Sequence, residues 1–449
     1  NRATCASVSS AKNNPETNKS RKEYKRIPIK RSNHTFFLRN FTMPVIIQEF
    51  MEKLLIPAYN SVPRDFLFIL PYFLLFLINS SLIVLILKKK INISLSKILL
   101  FTLFLRLFYL CLRILTNQTI IDNDAQLFKD YGSSFLHGYY PAMEYPPGAL
   151  LYFSLFSYIP MPILNLVFEI ITIITLYKLN KIGSYIYALN PFLLPIWYGK
   201  YESLPVALTV LAIFFIIRKK FFLVGLFIGL GFATKWLPAV LLPGIFLWLL
   251  LQKKWRSLFS LSLSFTTIAI LFNLPFYLWN KYAFIHTYLF QQQRTMMAES
   301  IYYLFQPVLQ INQAPWTDIN SSIFPKKITM LMQIIAVSLP LSILFLCKKT
   351  MKQCNNLTMV VFPMCLFILF NRVFSPQFVV FLLISYLILL KEPKLKWLLL
   401  INALPFLTFL IWPVFFTNWY WCSWLFFAIN VALIAKFLLP EKQLIRQEN

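Results

Sequence analysis

Glycine is the first thing this chain lacks. Nine glycines in 449 residues leave few of the corners that a β-barrel needs, and no stretches alternate apolar and polar residues as barrel strands do. Acid is also scarce, with 16 Asp and Glu against 43 Lys and Arg and a net charge of +27. The three histidines, His34, His137 and His286, are too scattered to suggest a metal set. The six cysteines (Cys5, Cys111, Cys347, Cys354, Cys365 and Cys422) form no tight pair, and no histidine lies close enough in sequence to Cys347 and Cys354 to complete a zinc-like group. Ordinary thiols are the expectation, with neither a disulfide framework nor a structural metal.

What the chain has in excess is grease: 58% of its residues are hydrophobic and 18% aromatic, and the mean hydropathy is +0.65. A soluble core cannot absorb that much apolar surface, so the solvent must largely be lipid. The class expected is an all-α polytopic membrane protein. The positive charge does not point to nucleic acid, because most Lys and Arg sit in short clusters between apolar runs, as in the cytoplasmic loops of membrane proteins.

Residues 1–42 carry ten Lys and Arg against two Glu and few apolar residues. They read as a disordered tail, or as targeting or non-native sequence, with Met43 a natural start. The domain expectation is an N-terminal tail over 1–60, one integral-membrane domain over 61–440 and a cytoplasmic tail over 441–449. Apolar runs at 66–88, 96–116, 161–178, 183–198, 203–217, 221–234, 236–251, 257–276, 328–346, 357–370, 373–390, 397–416 and 419–438 set the count at about 11–13 transmembrane helices. Basic turns at Lys88–Lys90, Lys178/Lys181, Arg218–Lys220, Lys253/Lys254/Arg256, Lys348/Lys349/Lys352 and Lys391/Lys394/Lys396 all fall on one side if the runs alternate. That parity forbids Gly148–Ile159 from crossing, and it is expected to be a short re-entrant or interfacial helix closed by Pro160 and Pro162.

The same parity collects most remaining charges on the opposite face: Asp122, Asp124, Asp130, Glu144, Lys200, Glu202, Lys235, Arg294, Glu299 and Arg372. Ionisable groups at a membrane edge are expensive unless they pair or meet a ligand. The early carboxylates could take a proton from an acceptor hydroxyl. Lys235, Arg294 and Arg372 could hold a phosphate leaving group. Plainer roles exist for each: a solvated loop Asp, an Arg294–Glu299 surface pair, or snorkelling by Lys235 and Arg372. The case rests on their common side.

The stretch "DNDAQLFKDYGSSFLHGYYPAMEYPPGALLYF" resembles the first external loop of the GT-C superfamily of integral-membrane glycosyltransferases, in particular the GT87-like, polyprenyl-phosphate-mannose-dependent mannosyltransferases. Asp124, Phe128, Tyr131-Gly132, Gly138 and Glu144–Leu150 follow that loop's order and spacing. "GFATKWLPAVLLPG" (231–244), "RTMMAES" (294–300) and "NRVFSPQF" (371–378) resemble three later segments of the family, in order, and "GKYESLP" (199–205) carries Glu202 where relatives often have Asp. The chain departs from the pattern at Tyr139-Tyr140-Pro141, where relatives show Pro-Tyr and an acid, and at His286, which stands further from the arginine.

The resemblance implies an inverting hexosyltransferase, mannose being the expected sugar. Its partners would be a polyprenyl- or dolichyl-phosphate sugar donor, a glycan or glycolipid acceptor and membrane lipids, with no nucleic acid. The site would open to the exterior or lumen of a plasma membrane or endoplasmic reticulum. The loop acid would be the catalytic base, which maps to Asp124 with Asp122 as competitor. Lys235, Arg294 and Arg372 would meet the donor phosphate, while Glu144, Tyr145, Glu202, Glu299 and Gln377 would bind substrate or shape the site. No cofactor is implied, and a divalent metal stays open. The rival classes are a transporter or flippase of a polyprenyl-linked lipid, which should show an internal repeat, and a membrane scaffold.

Overall fold

A chain this apolar can satisfy its backbone in lipid only by closing hydrogen bonds within each segment. The computed structural model describes residues 64–89, 94–116, 122–293, 300–305, 356–390, 393–411 and 420–438, together with 331, 334–339 and 342, and these are helical with short connections. They lie in one compact unit, Val62–Asn449. The protein is an all-α polytopic membrane protein.

Two long spans lead, α1 (Arg64–Lys89) and α2 (Leu95–Thr116). The segment that reads as a loop then folds instead as α3 (Asp122–Leu136), followed by the seven-residue α4 (Ala149–Leu155). At 1.5 Å per residue, α4 is about 10 Å long and cannot cross a bilayer. Next come α5 (Met161–Leu179), α6 (Lys181–Leu189), α7 (Leu194–Gly199), α8 (Ser203–Ile217) and α9 (Phe221–Thr234). The rest are α10 (Leu241–Leu251), α11 (Trp255–Trp279), α12 (Lys281–Gln293), α13 (Asn356–Phe370), α14 (Val379–Leu389), α15 (Leu395–Phe409) and α16 (Tyr420–Leu438).

Among the described residues, α1, α2, α5 and α11 are long and apolar enough to span a membrane by themselves, and six further apolar helices have 10–17 residues. The run 183–198, expected as one crossing, is broken at Asn190. The Asn190 side chain accepts from the Phe192 amide and donates to the Asn402 carbonyl, and Pro191 follows it. The segments Pro191–Gly199 and Ser203–Ile217 then meet at 114°, a broken span or a re-entrant loop. Most of the expected run 328–346 lies outside the described residues.

The outermost helices are greasy towards the surroundings: Leu100, Phe104, Phe259 and Leu278 are each more than 60% exposed. By contrast α14 is buried along its whole length, so its apolar character all round matches a central position. It packs against α6, α8, α13 and α15. Gly225 and Gly229 bring α9 onto α11 with a small-xxx-small spacing. A Cβ at Gly225 would lie 2.3 Å from the Leu261 carbonyl oxygen, which only glycine permits. Where glycine would usually end a helix, Lys219 (φ 57°) and Lys253 (φ 56°) turn left-handed instead. Each basic turn closes with the same pair of bonds, Lys220 to Phe215 and Lys219 to Ile216, then Lys254 to Leu249 and Lys253 to Leu250. At these two turns the scarcity of glycine is thus met by lysines.

Inside the bundle an ion pair ties α2 to α5. Arg106 Nε donates to Glu169 Oε2 at 2.7 Å, with side chains 1% and 3% exposed, and Arg106 Nη1 reaches the Ala188 carbonyl at 2.5 Å. In the sequence each is a lone charge within its apolar stretch, and only the fold shows that the two pair.

Candidate functional site

The site lies where α8 begins and α7 and α9 end, at the end of the bundle opposite the basic turns. Three residues, Lys200, Tyr201 and Glu202, bridge the 114° bend, and the two charged ones pair in different directions. Lys200 Nζ donates to the Asp124 carboxylate of α3, whose side chain is 34% exposed. Glu202, 2% exposed, accepts from Lys235 at the end of α9. Lys235 is buried, with its ammonium 5.0 Å from the Tyr201 ring and 5.2 Å from that of Phe378. Snorkelling to the interface therefore describes neither Lys235 nor Arg372, which is 2% exposed.

Aromatic rings fix α3 and α4 to the bend. Phe128 stacks on Phe153 at 4.7 Å and meets Tyr201 and Tyr145 edge-on at 5.2 and 5.4 Å. Tyr145 packs edge-on against Tyr201 at 5.2 Å, and the Tyr201 hydroxyl donates to the Thr234 carbonyl at 3.1 Å. The approach of α3 to α4 requires Gly132, where a Cβ would stand 2.1 Å from the Phe153 carbonyl oxygen. Ala125, Phe128 and Tyr131 point the apolar side of α3 at this cluster, which explains why so polar a segment is helical. Burial, and then the carboxylates of Glu144 and Asp124, raises the Tyr131 hydroxyl above the usual phenol range, so both acids bear on one ring.

The Glu-Tyr-Pro-Pro-Gly turn is held from α12. Thr287 Oγ1 donates to the Met143 carbonyl at 2.9 Å, and Gln291 Nε2 donates to that of Glu144 at 2.9 Å. The Gln291 carbonyl accepts from Arg372 Nη2 at 3.3 Å, so Arg372 joins the 371–375 segment to the same helix. The short 3-10 turn Pro376–Phe378 sets Phe378 beside Lys235. It also places Gln377, with Lys200, on the wall of a small apolar pocket formed by Phe192, Pro195, Pro405 and Phe409.

Asp124, Glu144, Tyr145, Glu202, Lys235, Arg372 and Gln377 are thus brought together. Arg294 and Glu299 lie outside the described residues. Asp122 begins α3, but its side chain is likewise outside them. The cations expected to stand open for an anion include Lys235, and this one already has a carboxylate partner. Among the described residues no three His, Cys, Asp or Glu side chains lie together as a metal site would need.

One positioning residue went unread in the sequence. Asn165 of α5, fully buried, accepts from the Tyr152 hydroxyl at 2.8 Å and donates to the Trp197 and Lys200 carbonyls at 2.7 Å each. It therefore sets the backbone that carries Lys200 to Asp124. Its signal was a lone Asn four residues before a lone Glu in a span, on one helix face. Asn165→Asp keeps the acceptor but loses both donors. It is expected to lower turnover about a hundredfold by displacing Lys200, while Tyr152→Phe retains most activity. Initial rates measured beside thermal unfolding separate misplacement from collapse.

Residues 144–376, more than half of the chain, match the model of the family described as glycosyltransferase family 87. The match starts at Glu144, so α3 with Asp124 lies just ahead of it. No curated protein and no solved structure matches the chain.

Proposed function

Because the chain belongs to glycosyltransferase family 87, a family of membrane glycosyltransferases, we propose that it moves a hexose, with mannose the first candidate, from a polyprenyl- or dolichyl-phosphate donor to a glycan or glycolipid. The fold it would represent is that of the GT-C enzymes. The observation that carries the reading is the bend at Lys200–Glu202, whose two charged residues hold an accessible carboxylate, Asp124, and a buried lysine, Lys235.

In this mechanism Asp124 is the general base. It takes the proton of an acceptor hydroxyl as that oxygen attacks the anomeric carbon. The bond from the anomeric carbon to the phosphate oxygen breaks on the opposite face, and the configuration inverts. The lipid phosphate leaves with the bonding electrons, and Lys235 and Arg372 stabilise its charge in a site shielded from water. Tyr145 and Tyr201 offer aromatic walls to the sugar. Gln377 and the apolar pocket beside Lys200 suit the start of an isoprenoid chain. The rule that basic turns face the cytoplasm puts this chemistry at the exterior or lumenal surface.

The test is transfer by the purified protein in lipid nanodiscs, offered polyprenyl-phosphate-mannose, -glucose and -arabinose. Transfer from one of them supports the reading; transfer from none, with measurable lipid flipping, replaces it by a transporter. The double variant Glu202→Gln/Lys235→Met removes a charge of each sign, so no buried ion is left unpaired. It is expected to raise the donor KM by about 10- to 100-fold, the scale of one lost charge-assisted hydrogen bond.

A further inference from the structure

A second cavity adjoins the candidate base, unlike the apolar pocket in its chemistry. It is an open cleft of about 450 Å³ between α3 and the turn that joins α4 to α5. Its walls include Ala125, Gln126 and Lys129 on one side, Ser157 and Tyr158 on the other, and Tyr198 at the end of α7. Two of these residues are tied to the ion pair: Ala125 follows Asp124, and Tyr198 precedes Lys200 by two positions.

We propose that this cleft is the acceptor site and that it takes the terminal one or two sugar rings of a saccharide, an inference that rests on the glycosyl-transfer reading. The volume falls within the range of roughly 300–1,000 Å³ usual for small-molecule sites. Its lining is mainly apolar, with Ile159, Met161 and two prolines beside the rings of Tyr158 and Tyr198, and it carries hydrogen-bonding groups on Gln126, Lys129 and Ser157, a combination that grips the C–H face and the hydroxyls of a sugar together. Tyr198 is held as a fixed wall, with the Arg113 guanidinium 4.4 Å from its ring and Tyr109 edge-on at 6.1 Å. Tyr158 is 74% exposed at the rim.

The Ser157 hydroxyl is enclosed and has no hydrogen-bond partner among the described residues, a state that normally calls for a missing one. A turn of the Ser157 side chain towards the cleft would let a sugar hydroxyl supply it. The Asp124–Lys200 pair then ties together the elements that carry the two cavities. Lys200 and Gln377 line the apolar pocket, suited to lipid, while Ala125 and Gln126, the residues that follow Asp124 on α3, line the cleft, suited to the attacking hydroxyl. This is the order that an in-line displacement needs, with the base on the acceptor side.

The experiment uses the full chain in nanodiscs and two readouts. The first is binding of mannobiose and of maltose as probes, followed by saturation-transfer NMR without any donor, so it requires no turnover. The expected result is a signal for at least one probe in the wild type and in Asp124→Asn, lost in Gln126→Ala/Tyr158→Ala and weakened in Ser157→Ala. No signal in the wild type, or a signal untouched by these variants, overturns the proposal even where transfer from a polyprenyl-phosphate donor is observed.

The second readout is kinetic, with whichever donor proves active and octyl α-mannoside as acceptor probe. Gln126→Ala/Tyr158→Ala should raise the acceptor KM about tenfold or more, with the donor KM and donor hydrolysis within about twofold of wild type. A rise in the donor KM instead assigns the cleft to the donor and overturns the proposal. Tyr158→Phe keeps the ring and should retain the acceptor KM. If Tyr158→Ala lowers only membrane integration and leaves binding intact, Tyr158 is an interfacial anchor and the proposal falls.

Discussion

Asp124→Asn is expected to reduce glycosyl transfer by about 10²- to 10⁴-fold, the usual contribution of a positioned general base. Asparagine has almost the same shape and can still accept a hydrogen bond from Lys200, so the contact between α3 and the bend persists. On the proposed mechanism, what it cannot do is carry away the acceptor's proton. Initial rates in nanodiscs, with thermal unfolding as the control for folding, measure the effect. Asp122→Asn, at the first position of α3, is expected to stay within a few-fold of wild type. The reverse pattern would move the base to Asp122, and full activity in both variants would sink the mechanism.

The largest expected loss of stability comes from Glu169→Ala. Arg106 would then sit in the bundle interior with the Ala188 carbonyl and the face of the Trp197 ring, 6.0 Å away, but no carboxylate to answer its charge, and Nη2 has no partner among the described residues. Removing one member of a buried pair costs about 3–5 kcal/mol, because the surviving ion stays desolvated and uncompensated. Replacing both, as Arg106→Met/Glu169→Leu, should recover most of that loss, since packed apolar side chains do as well as a buried pair or better. Thermal unfolding of the two variants in one detergent decides it. If Glu169→Ala unfolds at the wild-type temperature, the pair does not hold α2 to α5 as the geometry implies.

Part of this architecture could be read from the chain and part could not, for definite reasons. The helical class followed from hydropathy and from the scarcity of glycine. The helix that does not cross, α4, followed from counting basic turns, which depends only on parity. The helix α3 was missed because its acids and polar residues look like a loop; its apolar face becomes visible only when Phe153 and Tyr201 are there to receive it. The break at Asn190 was signalled by the following proline, yet two of the bonds that stabilise it run to Asn402, 212 residues away. Local patterns reveal such a residue but not its partner.

The site divides along the same line. That Asp124, Glu202 and Lys235 would share a face was legible from topology. That Lys200 belongs to Asp124 and Lys235 to Glu202 was not, because each pairing closes through tertiary structure. Asn165 and Glu169 carried a signal as lone polar residues in an apolar run, but the groups that give them a role, the Lys200 carbonyl and Arg106, come from other elements of the fold.

The Glu202–Lys235 pair also bears on how the proposed enzyme would let go. Lipid phosphate seated on Lys235 would hold that lysine against a rival tethered to the same chain, one that diffusion never removes. Glu202 would meet the departing phosphate as an internal competitor, with its second oxygen already lacking a partner among the described residues. On the proposed reading, the buried acid caps how tightly spent lipid can stay and keeps release from becoming the slow step. A site built from bare lysine would bind its product better and turn over less often.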